Sequence, residues 1–196
     1  KQTRTLVRCA AILGAAGVIC KIIGAVYRIP LTNLIGAEAM GIYSKAYMIY
    51  SLLLVLTASG IPAAVSKLVA EYAAADDYRN ARRTLKLTRN LLLAVGGVCT
   101  LIMLLLSDII ARSLGISEGE MVIICIAPSL LLSAVSAYRG YFQGLQDMAP
   151  TALSQLIGQL AKLTAGLILA AVLLPKGPVY AASGALLGVS LSELLS

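Results

Sequence analysis

The sequence predicts an all-α integral membrane protein of about six transmembrane helices. Three observations carry that prediction. The chain of 196 residues is 59% hydrophobic and only 13% charged, whereas a soluble domain carries about 25% charged residues. Its apolar runs are long enough to cross a hydrocarbon core of about 30 Å. Its basic residues collect in alternate connections, as the positive-inside rule requires.

The first span covers about residues 5–35. Its first half is rich in small residues (Ala10, Ala11, Gly14, Ala15, Ala16, Gly17), which permits close helix approach. Lys21 and Arg28 lie inside it on one side, and Pro30 is placed to bend its far end. The short turn Gly36-Ala37-Glu38-Ala39-Met40 makes spans one and two an antiparallel hairpin. The second span, residues 41–72, would run roughly 48 Å as one straight helix at 1.5 Å per residue. Its tyrosines Tyr43, Tyr47 and Tyr50 suit a membrane–water interface. In Ser59-Gly60-Ile61-Pro62, Pro62 removes a backbone donor, so a kink is expected. Gly60 and Pro62 have two readings, a flexing hinge or a static packing kink. Lys67 and Glu71 stand at the i,i+4 spacing that lets charges pair.

Residues 73–90 form a polar, strongly basic connection, and the third span covers about 87–106. Asp108–Glu120 is a polar connection with a short amphipathic piece. The fourth span, about 121–143, contains Pro128. A tight turn leads to Pro150, a favourable first helical residue, and the fifth span covers about 150–174. Pro175-Lys176-Gly177-Pro178 is a turn, and the sixth span occupies 179–196. The chain starts with Lys and stops inside an apolar run, so it reads as a fragment of a longer protein. No cleavable signal peptide is evident.

With the N-terminus in the cytoplasm, the inner segments carry Lys1, Arg4, Arg8, Arg79, Arg82, Arg83, Lys86 and Arg89. The outer segments carry only Arg112 and Lys176. That bias sets the N-terminus inside and explains the net charge of +7 without nucleic acid. The cysteines Cys9, Cys20, Cys99 and Cys125 fall in apolar runs without CxxC spacing, so small core residues are expected rather than disulfides or zinc ligands. The chain has no His, no phosphate loop, no Ser/His/Asp set and no paired carboxylates. No catalytic residue, metal or cofactor is expected.

Basic residues remain where loops cannot take them: Lys21, Arg28, Lys45, Arg139 and Lys162. Charges in spans are costly and usually face a water-filled cavity or a partner. A bundle turning several unpaired cations inward would bind an anion, with phosphate or diphosphate the natural guest. Arg28, Lys45 and Arg139 also lie near membrane faces, where they could snorkel to the headgroups. Lys21 and Lys162 are the deepest and are expected to face the cavity. Ser133, Ser136, Ser154, Gln155 and Gln159 add polarity that either lines the cavity or bonds neighbouring helices. Two GxxxG patterns, Gly140…Gly144 and Gly184…Gly188, signal close packing.

Three stretches carry a family resemblance: KIIGAVYRIPLTNLIGAEAMGIYSKAY (21–47), ASGIPAAVSKLVAEY (58–72) and YRGYFQGLQDMAPTALSQLIGQLAK (138–162), about a third of the chain. Through them the chain resembles the stage V sporulation protein B-like polysaccharide transporters of the MATE-like flippase superfamily, related to MurJ-type lipid II flippases. The resemblance implies about fourteen helices in two lobes around a cavity that opens alternately to each side. This chain would be the N-terminal lobe. It implies transport of a lipid-linked oligosaccharide or peptidoglycan precursor across the bacterial cytoplasmic membrane. The lipid-linked sugar and membrane lipids would be its partners, the full-length protein would be a monomer, and a coupling ion is left open. Lys21 and Arg28 match the cationic first helix that holds the lipid diphosphate in such flippases, and Lys45 matches more loosely. Two other classes are weighed against it. A MATE-type drug or cation antiporter would want mid-span carboxylates, and a non-transporting spore-cortex or envelope assembly factor would need none of these cations.

Overall fold

The computed structural model describes the backbone of residues 2–58, 60–116 and 119–196. Lys1 and Ser59 lie outside the described residues, as do the side chains of Arg4, Arg8 and Cys9. The elements in chain order are helices α1 (Gln2–Ala58), α2 (Ile61–Ala74), α3 (Tyr78–Leu105), α4 (Ser107–Ser113), α5 (Glu120–Ile126), α6 (Pro128–Leu132), α7 (Ser136–Gly144), α8 (Ala149–Leu173) and α9 (Pro178–Leu195). Among the described residues, five stretches are long and apolar enough to cross a membrane: Leu13–Val55, Tyr78–Leu105, Glu120–Gly144, Ala149–Lys176 and Pro178–Leu195.

The first of these, 43 residues long, is not straight. Gly36 leaves helical geometry with φ 77° and ψ 173°, a conformation that only glycine adopts without strain. Tyr27 and Tyr47 would stand about 30 Å apart along one straight helix. Instead both rings lie within 5.7 Å of the same ammonium, Lys162 Nζ. The chain therefore folds back at Gly36, and α1 consists of an outgoing arm (2–35) and a return arm (37–58). Pro30 stays within the outgoing arm, and the helical geometry is interrupted at Gly36 instead.

Residues 41–72, expected as one span kinked near Pro62, fall into two helices. The return arm ends at Ala58, and α2 starts at Ile61. Gly60 is the residue before α2, and Pro62 sits in its first turn, where a proline's missing N–H would have no intrahelical partner anyway. Lys67 and Glu71 are both exposed and form no ion pair. Water competes effectively for such surface charges. Among the described residues the ion pair formed is Arg112 with Asp108, at 2.7 Å.

The basic connection is also largely helical. Asp77 caps α3, accepting from the Asn80 backbone N–H at 3.1 Å and from its side-chain amide at 2.7 Å. Arg79, Arg82, Arg83 and Lys86 thus occupy the first turns of α3. Hydropathy separates apolar from polar residues, but Arg and Lys are good helix formers. The fourth span is broken at Pro128 into α5 and α6, and a 3₁₀ turn at Ser133–Val135 leads to α7. Hydroxyls from neighbouring helices serve carbonyls around that break: Thr100 donates to Ala127 at 3.0 Å and Ser190 to Cys125 at 2.8 Å. Such substitution keeps an interrupted helix tolerable in lipid.

Small residues set the packing. α9 lies along α8 and also touches α5 and α1, while α2 packs on α7 and α3 on α6. Both GxxxG pairs are close-approach points. A Cβ on Gly140 would sit 2.7 Å from the Pro62 carbonyl oxygen, and one on Gly144 equally close to that of Ser66. Gly184 meets Leu169 and Gly188 meets Gly166 in the same manner. The adjacent glycines Gly96 and Gly97 differ sharply. A Cβ on Gly96 would collide with the Leu130 carbonyl, whereas one on Gly97 would find its nearest neighbour at 3.7 Å, an ordinary contact. Gly96→Ala is therefore expected to destabilise the full-length protein by roughly 1–3 kcal/mol through overpacking. Gly97→Ala should leave stability unchanged or raise it by up to about 1 kcal/mol. Thermal denaturation in detergent, comparing the two, checks this.

Candidate functional site

Two helical stripes face each other across the fold-back. On the outgoing arm the stripe is Lys21, Gly24, Tyr27, Arg28 and Leu31; on the return arm it is Met40, Tyr43, Ser44, Tyr47, Met48 and Ser51. Both follow the three-and-four spacing of one helix face. Gln159 and Lys162 of α8 close the third side, and a cavity of about 540 Å³ lies between.

Lys21 and Arg28 are exposed towards this space, and Lys162 is half-buried. The Lys162 ammonium sits 4.9 Å from the Tyr47 ring centroid and 5.7 Å from that of Tyr27. Ring faces attract a cation where water is scarce, by about 0.5–2 kcal/mol. They hold the ammonium at the cavity wall, and Glu193 of α9 is near enough to interact with it electrostatically without forming an ion pair among the described residues. Tyr43 stacks on Tyr47 with centroids 5.7 Å apart, and Tyr50 packs beside them. Tyr43 and Tyr50 are core residues, 7% and 1% exposed, and not the interfacial aromatics that the sequence predicts.

Among the described residues, no Asp or Glu lines this cavity. The lining is cationic, aromatic and hydroxylic. A unit charge 4 Å from a guest's opposite charge contributes about 4 kcal/mol at an effective dielectric of 20, against about 1 kcal/mol in water. Three cations converging from two helices therefore suit a multiply charged anion with several acceptor oxygens, as a diphosphate has.

Two predicted site residues stand elsewhere. Lys45 falls off the cavity stripe, and its Nζ donates to the Leu114 carbonyl oxygen at 2.8 Å. That carbonyl ends α4, where the partial negative charge of a helix C-terminus favours a cation. Arg139 lines a second, smaller cavity of about 280 Å³ with Gln155, Ser192 and Glu193, and its guanidinium donates to the Ser196 hydroxyl. The two cavities meet at Cys20 and Gln159, which line both. Gly60 and Pro62 lie outside both cavities. A larger groove of about 1040 Å³ runs beside Arg79, Arg82, Arg83 and Lys86, but it is the open, solvated start of α3.

The family model described as "Polysaccharide biosynthesis protein" matches residues 6–196. The chain belongs to that family. Among its curated relatives, Stage V sporulation protein B of Bacillus subtilis (strain 168) is 32% identical over 195 residues, 98% of this chain and 38% of that protein. Lipid II flippase MurJ of the same organism is 34% identical over 168 residues, 81% of this chain and 31% of that protein. The uncharacterized membrane protein YabM, also from that organism, is 35% identical over 186 residues, 91% of this chain and 34% of that protein. The chain thus spans about a third of the length of the curated relatives it matches. No solved structure matches it. With its apolar helices, this family member is an all-α, multi-pass protein of the bacterial cytoplasmic membrane.

The tyrosines were the signal most easily missed, since Tyr27 and Tyr47 look like ordinary membrane aromatics until the fold-back brings them to Lys162. Cys20 offers a test of the cavity. It lines both spaces, whereas Cys99 and Cys125 pack against the main core. In a full-length protein with Cys9 replaced by Ser and no cysteine outside this segment, a charged maleimide is expected to label Cys20 in the folded state. Cys99 and Cys125 should label only after denaturation, as read by mass shift.

Proposed function

We propose that this chain forms the N-terminal lobe of a flippase that moves a lipid-linked oligosaccharide or peptidoglycan precursor, of the undecaprenyl diphosphate-linked kind, across the cytoplasmic membrane. The observation that carries the reading is the convergence of Lys21, Arg28 and Lys162 on one cavity that no carboxylate lines among the described residues. Similarity to a protein named as a lipid II flippase supports it.

In this reading the N-terminus is cytoplasmic and the turn at Gly36 is on the outer side. Arg28 then lies roughly 12 Å and Lys21 roughly 22 Å below that turn along the arm. The diphosphate descends between them and Lys162, while the prenyl chain stays in lipid. Bringing a diphosphate this deep is affordable only against fixed cations, because an unpaired charge at the bilayer centre is costly. The second lobe completes the cavity, and rocking of the lobes exposes it to each side in turn. The break at Gly60 and Pro62 separates the return arm from α2 and supplies a point where the arm tilts. No bond is made or broken, so the protein is a transporter and not an enzyme, and the full-length chain works as a monomer.

Reconstituting the full-length protein in vesicles with a fluorescent undecaprenyl diphosphate-linked sugar tests this. Lys21→Ala, Arg28→Ala and Lys162→Ala are each expected to slow flipping at least about tenfold, a loss of roughly 1.4 kcal/mol or more, with expression retained. Lys45→Ala, whose partner is Leu114, should stay within about twofold. Unchanged rates in the first three variants would sink the assignment.

A further inference from the structure

The second cavity differs in chemistry from the first. Its lining places one cation, Arg139, with one carboxylate, Glu193, so its formal charge balances. The remaining polar groups are the carboxamides of Gln155 and Gln159 and the hydroxyls of Ser192 and Ser196. Neither carboxamide makes a hydrogen bond to any described residue, although both side chains are half-buried. Arg139 Nε is buried and equally without an acceptor among the described residues. Half-buried amides and a buried N–H left open are costly unless water or a guest completes them. Each carboxamide offers two donors and an acceptor. A neutral guest dense in hydroxyls satisfies such a set, whereas a second diphosphate would meet Glu193.

Position adds to composition. Gln159 and Cys20 line both cavities, so a group in the smaller space is covalently within reach of a diphosphate in the larger one. At about 280 Å³ the smaller space lies just below the range of drug-sized ligand sites, which run from roughly 300 to 1,000 Å³. It suits one sugar ring rather than a longer saccharide.

We infer that the pocket of Arg139, Gln155, Gln159, Ser192 and Glu193 is a neutral subsite for the sugar ring attached to the diphosphate. The inference rests on the diphosphate reading of the first cavity and assigns the neighbouring space to the next chemical group along the same molecule. The cationic cavity then recognises the anchor common to all such lipids, and the amide pocket distinguishes a glycosylated lipid from the bare one.

The test measures binding of two probes to the full-length protein in nanodiscs: undecaprenyl diphosphate, and the same lipid carrying a single N-acetylglucosamine. Gln155 and Ser192 line the smaller cavity and not the larger one, and Met matches Gln in length without the amide, so the variants are Gln155→Met, Ser192→Ala and their combination. The combination is expected to weaken the glycosylated lipid roughly tenfold, as the loss of two or more hydrogen bonds predicts, and to leave the bare lipid within about twofold. Bare-lipid binding doubles as the check that the variants fold; should the pair misfold, the single variants decide on the same criterion. Equal loss for both probes in a folded variant, or no loss for either, overturns the subsite. Lys21→Ala weakening both probes alike keeps the diphosphate reading. If Lys21→Ala and Arg28→Ala spare the bare lipid, that reading fails separately, whatever the Gln155 and Ser192 variants do.

Discussion

The arrangement depends on one half-buried cation held between two aromatic rings. Lys162 comes from α8, Tyr27 from the outgoing arm of α1 and Tyr47 from its return arm, and the ammonium lies within 5.7 Å of both ring centroids. An ammonium inside a bundle loses hydration worth several kcal/mol. Pairing with a carboxylate would recover part of that and abolish the charge as seen by a guest. The tyrosine faces offset some of the loss, and Glu193 in the adjacent cavity interacts with the ammonium electrostatically without pairing with it among the described residues. The same contact ties three segments together, so the fold-back at Gly36 and the cationic cavity are one structural fact.

Around that centre the bundle is held by close approach rather than by bulk. Between lipid-immersed helices there is little hydrophobic driving force, so van der Waals contact and interhelical hydrogen bonds decide. α9 illustrates this, with Ala181, Ala182, Gly184, Ala185, Gly188, Ser183 and Ser190 buried along its length. Many large apolar side chains, among them Val18, Ile22, Ile29 and Leu105, are correspondingly exposed, as lipid-facing residues should be. The position of the cation cavity follows from the periodic stripes on the two arms.

Much of the fold is legible from hydropathy and turn chemistry, because apolar length and a short glycine turn are local properties. The apolar stretches and the reversal at Gly36 are of that kind. Local signals fail where helicity and apolarity part company. The basic residues from Arg79 to Lys86 look like a loop by hydropathy, yet Asp77 caps them into α3. Pro62 looks like a kink within one helix, yet it starts a new one. In the candidate site, Lys21, Arg28 and Lys162 stand out because charge is conspicuous in an apolar run, and the structure brings those three around one cavity. Lys45 is equally conspicuous and goes elsewhere, because its acceptor at Leu114 lies 69 residues away in sequence and no local pattern announces it. Tyr27, Tyr47 and Glu193 enter the sites only through tertiary contacts.

The central claim is that Lys21, Arg28 and Lys162 together recognise a lipid diphosphate by charge. The most direct measurement compares binding of undecaprenyl diphosphate and undecaprenol to the full-length protein and to a Lys21→Gln, Arg28→Gln, Lys162→Gln triple variant in nanodiscs. The account predicts that the unmodified protein prefers the diphosphate by at least about a hundredfold, since each cation contributes on the order of 1 kcal/mol or more, and that the triple variant binds the two lipids alike. A triple variant that folds and keeps the full preference for the diphosphate would contradict it.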